Sequence, residues 1–338
     1  MPSVSATLQR HFGQFALFLT SHFRSSPKDL VVDIGSNDGL FLKACLDLKS
    51  RVLGIEPSAN LTEIAREKGV EVVNRYFNPE TAAQVREKYG PASIITSTNT
   101  FNHIDDLHGF MSGVSTLLDA KGIFVIEVPH SLDLVTKNQF DTVYHEHLSE
   151  FSVRSLAYLY EYFDIEIFDI QRLPIHGGSM RVLAQRKQGG HTISPQVAEW
   201  RSTEDKAALS SKQTYDDFAK RVRLNKAEML TLLKGLKAQG KSLAGYGAPA
   251  KGNTLLNFYG IGPDLLDFVA DRNPLKQGLY SPGMHIPVTP TEEILKRQPD
   301  YMLILAWNFA EEVMREQAEY RRRGGSFIIP IPSLQIVH

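Results

Sequence analysis

Tyr144-His145-Glu146-His147 sets a phenol, two imidazoles and a carboxylate in four consecutive positions, directly after Phe140-Asp141-Thr142-Val143. Four polar, titratable side chains in a row rarely serve packing. Histidine takes up a proton near neutral pH. A neighbouring carboxylate such as Glu146 fixes the imidazole tautomer and raises its basicity. A phenol donates to an oxygen on which negative charge develops, as in an oxyanion hole. Together these groups suit removal of a weakly acidic proton and stabilisation of the resulting enolate. His103 follows a strand-like run, within Asn99-Thr100-Phe101-Asn102-His103-Ile104-Asp105, and is expected to face the same crevice. Two other readings compete. His145, Glu146 and His147 could ligate a metal, although in-line neighbours rarely converge on one ion, or the segment could be a solvated loop.

A second stretch with chemical content is Val31-Val32-Asp33-Ile34-Gly35-Ser36-Asn37-Asp38-Gly39. An apolar β-branched run ends in an acid, and a glycine-containing turn leads into an amphipathic run from Leu40. That reads as buried strand, tight loop and helix. The next strand, Arg51-Val52-Leu53-Gly54-Ile55-Glu56, also ends in an acid. Ligands of doubly wound sheets bind at the carboxyl ends of the strands, so Glu56 is placed to accept hydrogen bonds from a ribose diol. Gly35 and Gly39 give GxxxG rather than GxGxxG, and Asp38 in the loop would repel a pyrophosphate. A cationic, phosphate-free ligand fits better, and S-adenosylmethionine (SAM) has an ammonium, a sulfonium and a ribose. Here the chain resembles the class I methyltransferases. Asp33, Gly35, Asn37, Gly39 and Glu56 are the candidate cradle, with Asn99 at the end of the fourth strand. Tyr76 and Phe77, after the third strand, are candidates to lie against adenine. The plainer alternative is an ordinary strand-to-helix turn with core aromatics.

A third stretch, Gly245-Tyr246-Gly247-Ala248-Pro249-Ala250-Lys251-Gly252-Asn253, follows a strand and opens a helix. Glycine-rich backbone, a helix amino terminus and a lysine make an anion site. Asp271-Arg272-Asn273-Pro274 and Lys276 follow the next strand and add charge-assisted donors. A diphosphate is the expected ligand. Departure from GxxxxGK[ST] argues against a nucleotide-hydrolysing P-loop. The substrate-binding candidates are His145, Gly247, Lys251, Asn253, Arg272 and Lys276.

These groups need a scaffold. An amphipathic helix over about 4–24 precedes the first strand. Strands at 70–74, 92–98 and 123–128 then alternate with helical stretches near 58–68, 79–89 and 105–118, the spacing of βαβ units in a parallel sheet. Runs at 165–171 and 180–185 flank Leu173–Ser179 and read as an antiparallel hairpin. A polar shift around Gly189-Gly190 suggests a boundary, giving a SAM-binding domain with the Tyr144–His147 segment over 1–190 and a smaller α/β domain over 191–338. The latter holds a long helix from about Lys212 to Gln239 and strands at 242–246, 266–270, 301–306 and 326–330.

The chain has 338 residues, 37 basic against 38 acidic, so composition gives no nucleic-acid or membrane-surface footprint. Its single cysteine, Cys45, excludes an internal disulfide and a cysteine-rich zinc module and fits a reducing cytoplasm. Neither a signal peptide nor an apolar run long enough to span a bilayer is seen.

Tyr144–His147 after FDTV, GYGAPAKGN at Gly245–Asn253, and DRNPLKQG followed by PGMHIPV over Asp271–Val288 resemble the sugar C-methyltransferase family over nearly the whole chain. The resemblance implies a class I methyltransferase Rossmann-like sheet followed by a second, smaller α/β domain, SAM as cofactor, and methylation of carbon on a nucleotide-linked ketosugar in deoxysugar biosynthesis. It implies His147 as the base, with Tyr144, Glu146 and His103 in the same pocket, and a carboxy-terminal domain that helps hold the nucleotide sugar. No metal takes part in that scheme. Members of the family usually begin with a cysteine-rich zinc domain, which this sequence lacks, so a separate capping protein is a possible partner. An O- or N-methyltransferase, or a SAM-binding protein without activity, is the alternative.

Overall fold

A computed structural model describes residues 6–24 and 26–338. The order is α1 (Ala6–Phe23), β1 (Leu30–Ile34), α2 (Leu40–Asp47), β2 (Arg51–Ile55), α3 (Ala59–Glu67), β3 (Val72–Val73), α4 (Pro79–Tyr89), β4 (Ala92–Thr98), α5 (Leu107–Leu117) and β5 (Leu118–Pro129). Then come α6 (Ser131–Thr136), α7 (Val153–Glu161), β6 (Ile165–Leu173), β7 (Ser179–Arg186), α8 (Pro195–Lys206) and α9 (Lys212–Ala238). The remainder is β8 (Leu243–Tyr246), α10 (Ala250–Tyr259), β9 (Val269–Ala270), β10 (Val288–Thr289), α11 (Glu292–Arg297), β11 (Tyr301–Ile304), α12 (Ala310–Glu316), α13 (Ala318–Arg322), β12 (Ser326–Ile329) and β13 (Gln335–Val337).

The chain forms two compact units. The first is built from residues up to 130, 148–173 and 178–206; the second from 131–147, 174–177 and 207–338. The first unit's sheet runs β3-β2-β1-β4-β5-β7-β6, parallel except for β7, which is antiparallel to both neighbours. Strand order reverses between β1 and β4, the place where such sheets bind ligands. Every β1 residue is buried. Val32 packs into one core with β4, β5 and α5, while Val31 packs into another with α1 and α2, so both faces are covered. Cys45 lies fully buried in the second of these cores.

The second unit's sheet runs β10-β9-β8-β11-β12-β13, parallel but for β13, which the sequence reading did not anticipate. Its switch point falls between β8 and β11. Among the described residues, no helix is long and apolar enough to cross a membrane.

The boundary differs from the one expected near residue 190. Gly189-Gly190 makes the turn between β7 and α8, and α8 buries Val197 and Trp200 in the first unit's core. The chain changes unit after Lys206 instead. Tyr144–His147 also falls in the second unit rather than the first. The reason is Phe140, whose ring buries in the second unit's core and stacks on Tyr259 of α10, with centroids 5.3 Å apart.

Candidate active site

At the carboxyl ends of β1 and β2 the chain builds an acidic cradle. Glu56 is buried, and its two carboxylate oxygens accept from the backbone N–H groups of Asn37 and Ser58, each at 2.9 Å. An ionised carboxylate offers about four acceptor positions. Two are used by backbone here, which leaves two for a diol. Asn37 adopts φ +51° and Gly35 φ +75°, so the loop turns through the left-handed region around the Glu56 carboxylate. A Cβ on Gly35 would lie 2.4 Å from Thr100 Oγ1. Gly39, expected in the cradle, serves packing: it precedes α2 at φ +73°, and a Cβ there would lie 2.9 Å from that of Ala65 on α3.

Asp33 Oδ1 accepts from Thr96 Oγ1 at 2.6 Å. Burial pushes Asp33 up to about 7; Thr96 pulls against this, and Glu127 and Glu56 add to it. Asn99, half-buried at φ +52°, donates its backbone N–H to the Glu127 carbonyl at 2.7 Å. The Asp38 carboxylate does not face a ligand across the loop, as repulsion of a pyrophosphate would require. It is fully buried, 3.3 Å from Lys68 Nζ. Of the two aromatics, Tyr76 is 78% exposed and open to a ligand. Phe77 is half-buried, packing edge-on against Phe110 at 5.0 Å and over Gly113 at the margin of the first unit's core.

In the second unit, Tyr144 and His147 close a turn, with His147 N–H donating to the Tyr144 carbonyl at 2.9 Å. Their rings face each other at 4.3 Å, and the phenol oxygen lies 3.0 Å from His147 Nε2. Both are half-buried, whereas His145 and Glu146 are exposed. The partner given to Nε2 is thus the Tyr144 phenol, not the expected Glu146. His103 is exposed on the short turn after β4 and belongs to the first unit. Among the described residues, no three His, Cys, Asp or Glu side chains are grouped to hold a metal ion.

The glycine-rich turn after β8 is ordered by its own neighbours. Gly247 adopts φ +83° and donates to the Ala270 carbonyl at 2.7 Å. Asp271 accepts from Ala248 N–H at 2.6 Å, and Lys276 Nζ donates to the Ala248 carbonyl at 2.7 Å. Arg272 pairs with Glu316 at 2.6 Å and Glu312 at 3.6 Å. Lys276 and Arg272 are therefore engaged within the unit rather than held out as anion donors. Asn253 Oδ1 is buried with no hydrogen-bond partner. Lys251 Nζ sits 4.2 Å from the centre of the Trp307 ring.

Residues 9–169 match a methyltransferase domain family, and residues 174–332 match the C-methyltransferase C-terminal domain family. C-methyltransferase NovU of Streptomyces niveus is 38% identical over 309 residues, 91% of this chain and 74% of that protein. The chain belongs to the C-methyltransferase family. It is a methyltransferase of the class I α/β fold, and SAM is its methyl donor. Solved structures with similarity to this C-methyltransferase include a SAM-dependent methyltransferase of Anabaena variabilis, 18% identical with a TM-score of 0.42 over 51% of this chain and 83% of that one. Another is magnesium protoporphyrin IX methyltransferase of Synechocystis with bound SAM, 12% identical with a TM-score of 0.40 over 53% and 79%.

Several polar residues of the C-methyltransferase escaped the sequence reading. Glu127 on β5 is fully buried, between His11 Nε2 at 2.7 Å and Arg181, whose Nη2 approaches to 2.5 Å. Burial alone would raise its pKa, but His11 and Arg181 outweigh that and hold it below the ordinary carboxylate value. His130 Nε2 lies 2.7 Å from Glu204, whose carboxylate also accepts the first two N–H groups of α7. Asp141 and Trp307 are hydrogen-bonded across 166 positions of sequence. Partners so far apart leave no local pattern. The only signal was a charged residue set in an apolar run, as at Glu127 within Ile123–Val128.

Proposed function

We propose that this enzyme methylates a carbon next to a ketone on a nucleotide-linked sugar, through an enolate that His147 generates. The observation that carries the reading is the Tyr144–His147 pair, with a phenol oxygen 3.0 Å from an imidazole nitrogen in a tight turn. When bound, SAM supplies an electrophilic methyl group on a sulfonium. Asp33, Glu56, Asn37, Gly35 and Asn99 are the residues that would hold it. The two open acceptor positions on Glu56 and the acids around Asp33 fit its diol and its positive charge.

His147 accepts the proton from the carbon next to the carbonyl. Nε2 of a neutral imidazole has one lone pair, and Tyr144 occupies it in the resting turn. As the ketone binds, the phenol O–H turns to the carbonyl oxygen, which frees Nε2 to take the carbon-bound proton while Tyr144 donates to the developing enolate oxygen. Base and oxyanion donor are then coupled in one turn. The fit between this chemistry and carbon methylation supports a ketone-bearing substrate. The second unit's doubly wound sheet, with the Gly247 turn at its switch point, supports a nucleotide portion on that substrate. Such a substrate belongs to deoxysugar biosynthesis, a cytoplasmic pathway class.

The test is product structure. The enzyme, SAM carrying ¹³C in its methyl group and a nucleotide-linked ketosugar should give a methyl carbon coupled to a ring carbon by NMR. A methyl bonded to oxygen or nitrogen, or no transfer to any ketosugar, would reject the reading.

A further inference from the structure

We propose that Asp141, Trp307 and Lys251 form a tether that fixes the Tyr144–His147 turn to the glycine-rich helix start, and that Lys251 acts through it rather than as a ligand of the substrate's diphosphate. The inference rests on the reading of Tyr144 and His147 given above. All these residues lie in the second unit.

Three observations carry it. Asp141 lies three residues before Tyr144 and is fully buried; its Oδ2 accepts from Trp307 Nε1 at 2.7 Å. Trp307, just after β11, presents its ring face to Lys251 Nζ at 4.2 Å. Lys251 is the second residue of α10, where the helix dipole disfavours a cation unless an anion compensates. Asp141 is that anion. Its second oxygen, Oδ1, is buried and accepts no hydrogen bond. An ionised carboxylate in that position is costly without a nearby positive charge. The ammonium of Lys251 supplies it. Burial raises Asp141 to about 6 and lowers Lys251 to about 8, each pulled back toward its ordinary value by the other. Near pH 7 both are charged.

The rest of the segment is held the same way. Phe140 stacks on Tyr259 of α10, Gln139 Nε2 donates to the Gly177 carbonyl at 2.7 Å, and a Cβ on Gly177 would lie 2.8 Å from the Trp307 ring. The tether thus adds a charged link to a seat made of the Phe140 stack and the Gln139 hydrogen bond. Its loss should let the turn shift without unfolding the unit, and a shift of about 1 Å in a catalytic group costs on the order of 100-fold in rate.

The test compares Trp307→Phe, which keeps the ring and deletes the N–H, with Lys251→Met, Lys251→Arg and the double variant. Each is assayed for kcat of methylation and, by calorimetry, for Kd of the nucleotide sugar and of SAM. Expected are kcat losses of about 10- to 100-fold for Trp307→Phe and Lys251→Met, with both Kd values within about twofold of wild type. Partial rescue by Lys251→Arg and a double variant no worse than the weaker single are expected too, as for groups acting as one unit. A rise in nucleotide-sugar Kd with kcat intact for Lys251→Met would make Lys251 a ligand and overturn the tether. Multiplying losses, or full activity of Trp307→Phe, would also overturn it. His147→Asn runs alongside. If it keeps wild-type turnover, the reading of the base fails, while the coupling between Trp307 and Lys251 is still judged by its own numbers.

Discussion

Glu56→Gln isolates the electrostatics of the cofactor cradle. The carboxylate accepts two backbone N–H groups at 2.9 Å, from Asn37 and Ser58, and keeps two acceptor positions for the ribose hydroxyls. Glutamine preserves size but turns one oxygen into an NH₂ group. One backbone N–H then faces a donor, and one hydroxyl loses its acceptor. A hydrogen bond to a charged acceptor contributes roughly 1.5–3 kcal/mol, against roughly 0.5–1.5 for a neutral pair. Removing the charge and one acceptor should cost about 1.5–3 kcal/mol, which is about 10- to 150-fold in Kd. Calorimetry with SAM and with S-adenosylhomocysteine separates two causes. The ribose is common to both ligands and the sulfonium is not, so a ribose contact predicts equal losses. Loss for SAM alone would mean that Glu56 acts on the positive charge. Unchanged affinity for both, in a folded variant, would refute the assignment.

Three further outcomes are expected. Asp33 has its pKa raised from 3.8 to about 7, so the native state holds a proton there that the unfolded chain has lost; this group's contribution to stability falls as pH rises from about 4 to 7. Denaturant titration of Asp33→Asn across that range should lack this component, on the order of 4 kcal/mol, and an unchanged difference curve would contradict the burial argument. Glu204→Ala strips His130 and the start of α7 of a buried acceptor, and should lower stability by about 3 kcal/mol in urea unfolding, whereas a change within about 0.5 kcal/mol would mean water replaces it. Gly39→Ala forces a Cβ to 2.9 Å from that of Ala65 at φ +73°, and should lower stability by about 1–3 kcal/mol, read as a fall in Tm, whereas an unchanged Tm would mean that α3 gives way without cost.

Much of this was legible in the chain because periodicity reports burial. Val31, Val32 and Ile34 put apolar side chains on both faces because the sheet is covered on both, and the Ile165–Leu173 and Ser179–Arg186 runs around a glycine turn could only pair antiparallel. The unit boundary was not legible. A glycine pair marks a turn, and whether α8 stays with the first core depends on where Val197 and Trp200 find partners. For the same reason Phe77 read as a possible platform: an aromatic after a strand has one sequence and two fates, and Gly113 and Phe110 decide between them. The Tyr144–His147 pairing was accessible as a motif, but its partner was not. Side chains three apart in a turn meet more readily than neighbours, so the phenol rather than Glu146 reaches Nε2.

Solvent deuterium exchange at the carbon to be methylated tests the central claim most directly. With S-adenosylhomocysteine in place of SAM, wild type should exchange the proton next to the ketone of a bound nucleotide-linked ketosugar with D₂O, read by NMR. His147→Asn, which keeps polarity but cannot accept the proton, should slow that exchange by about 10²–10⁴-fold, the range for a general base, while both ligands still bind. Exchange by His147→Asn at the wild-type rate would contradict the assignment of the base and turn attention to His103.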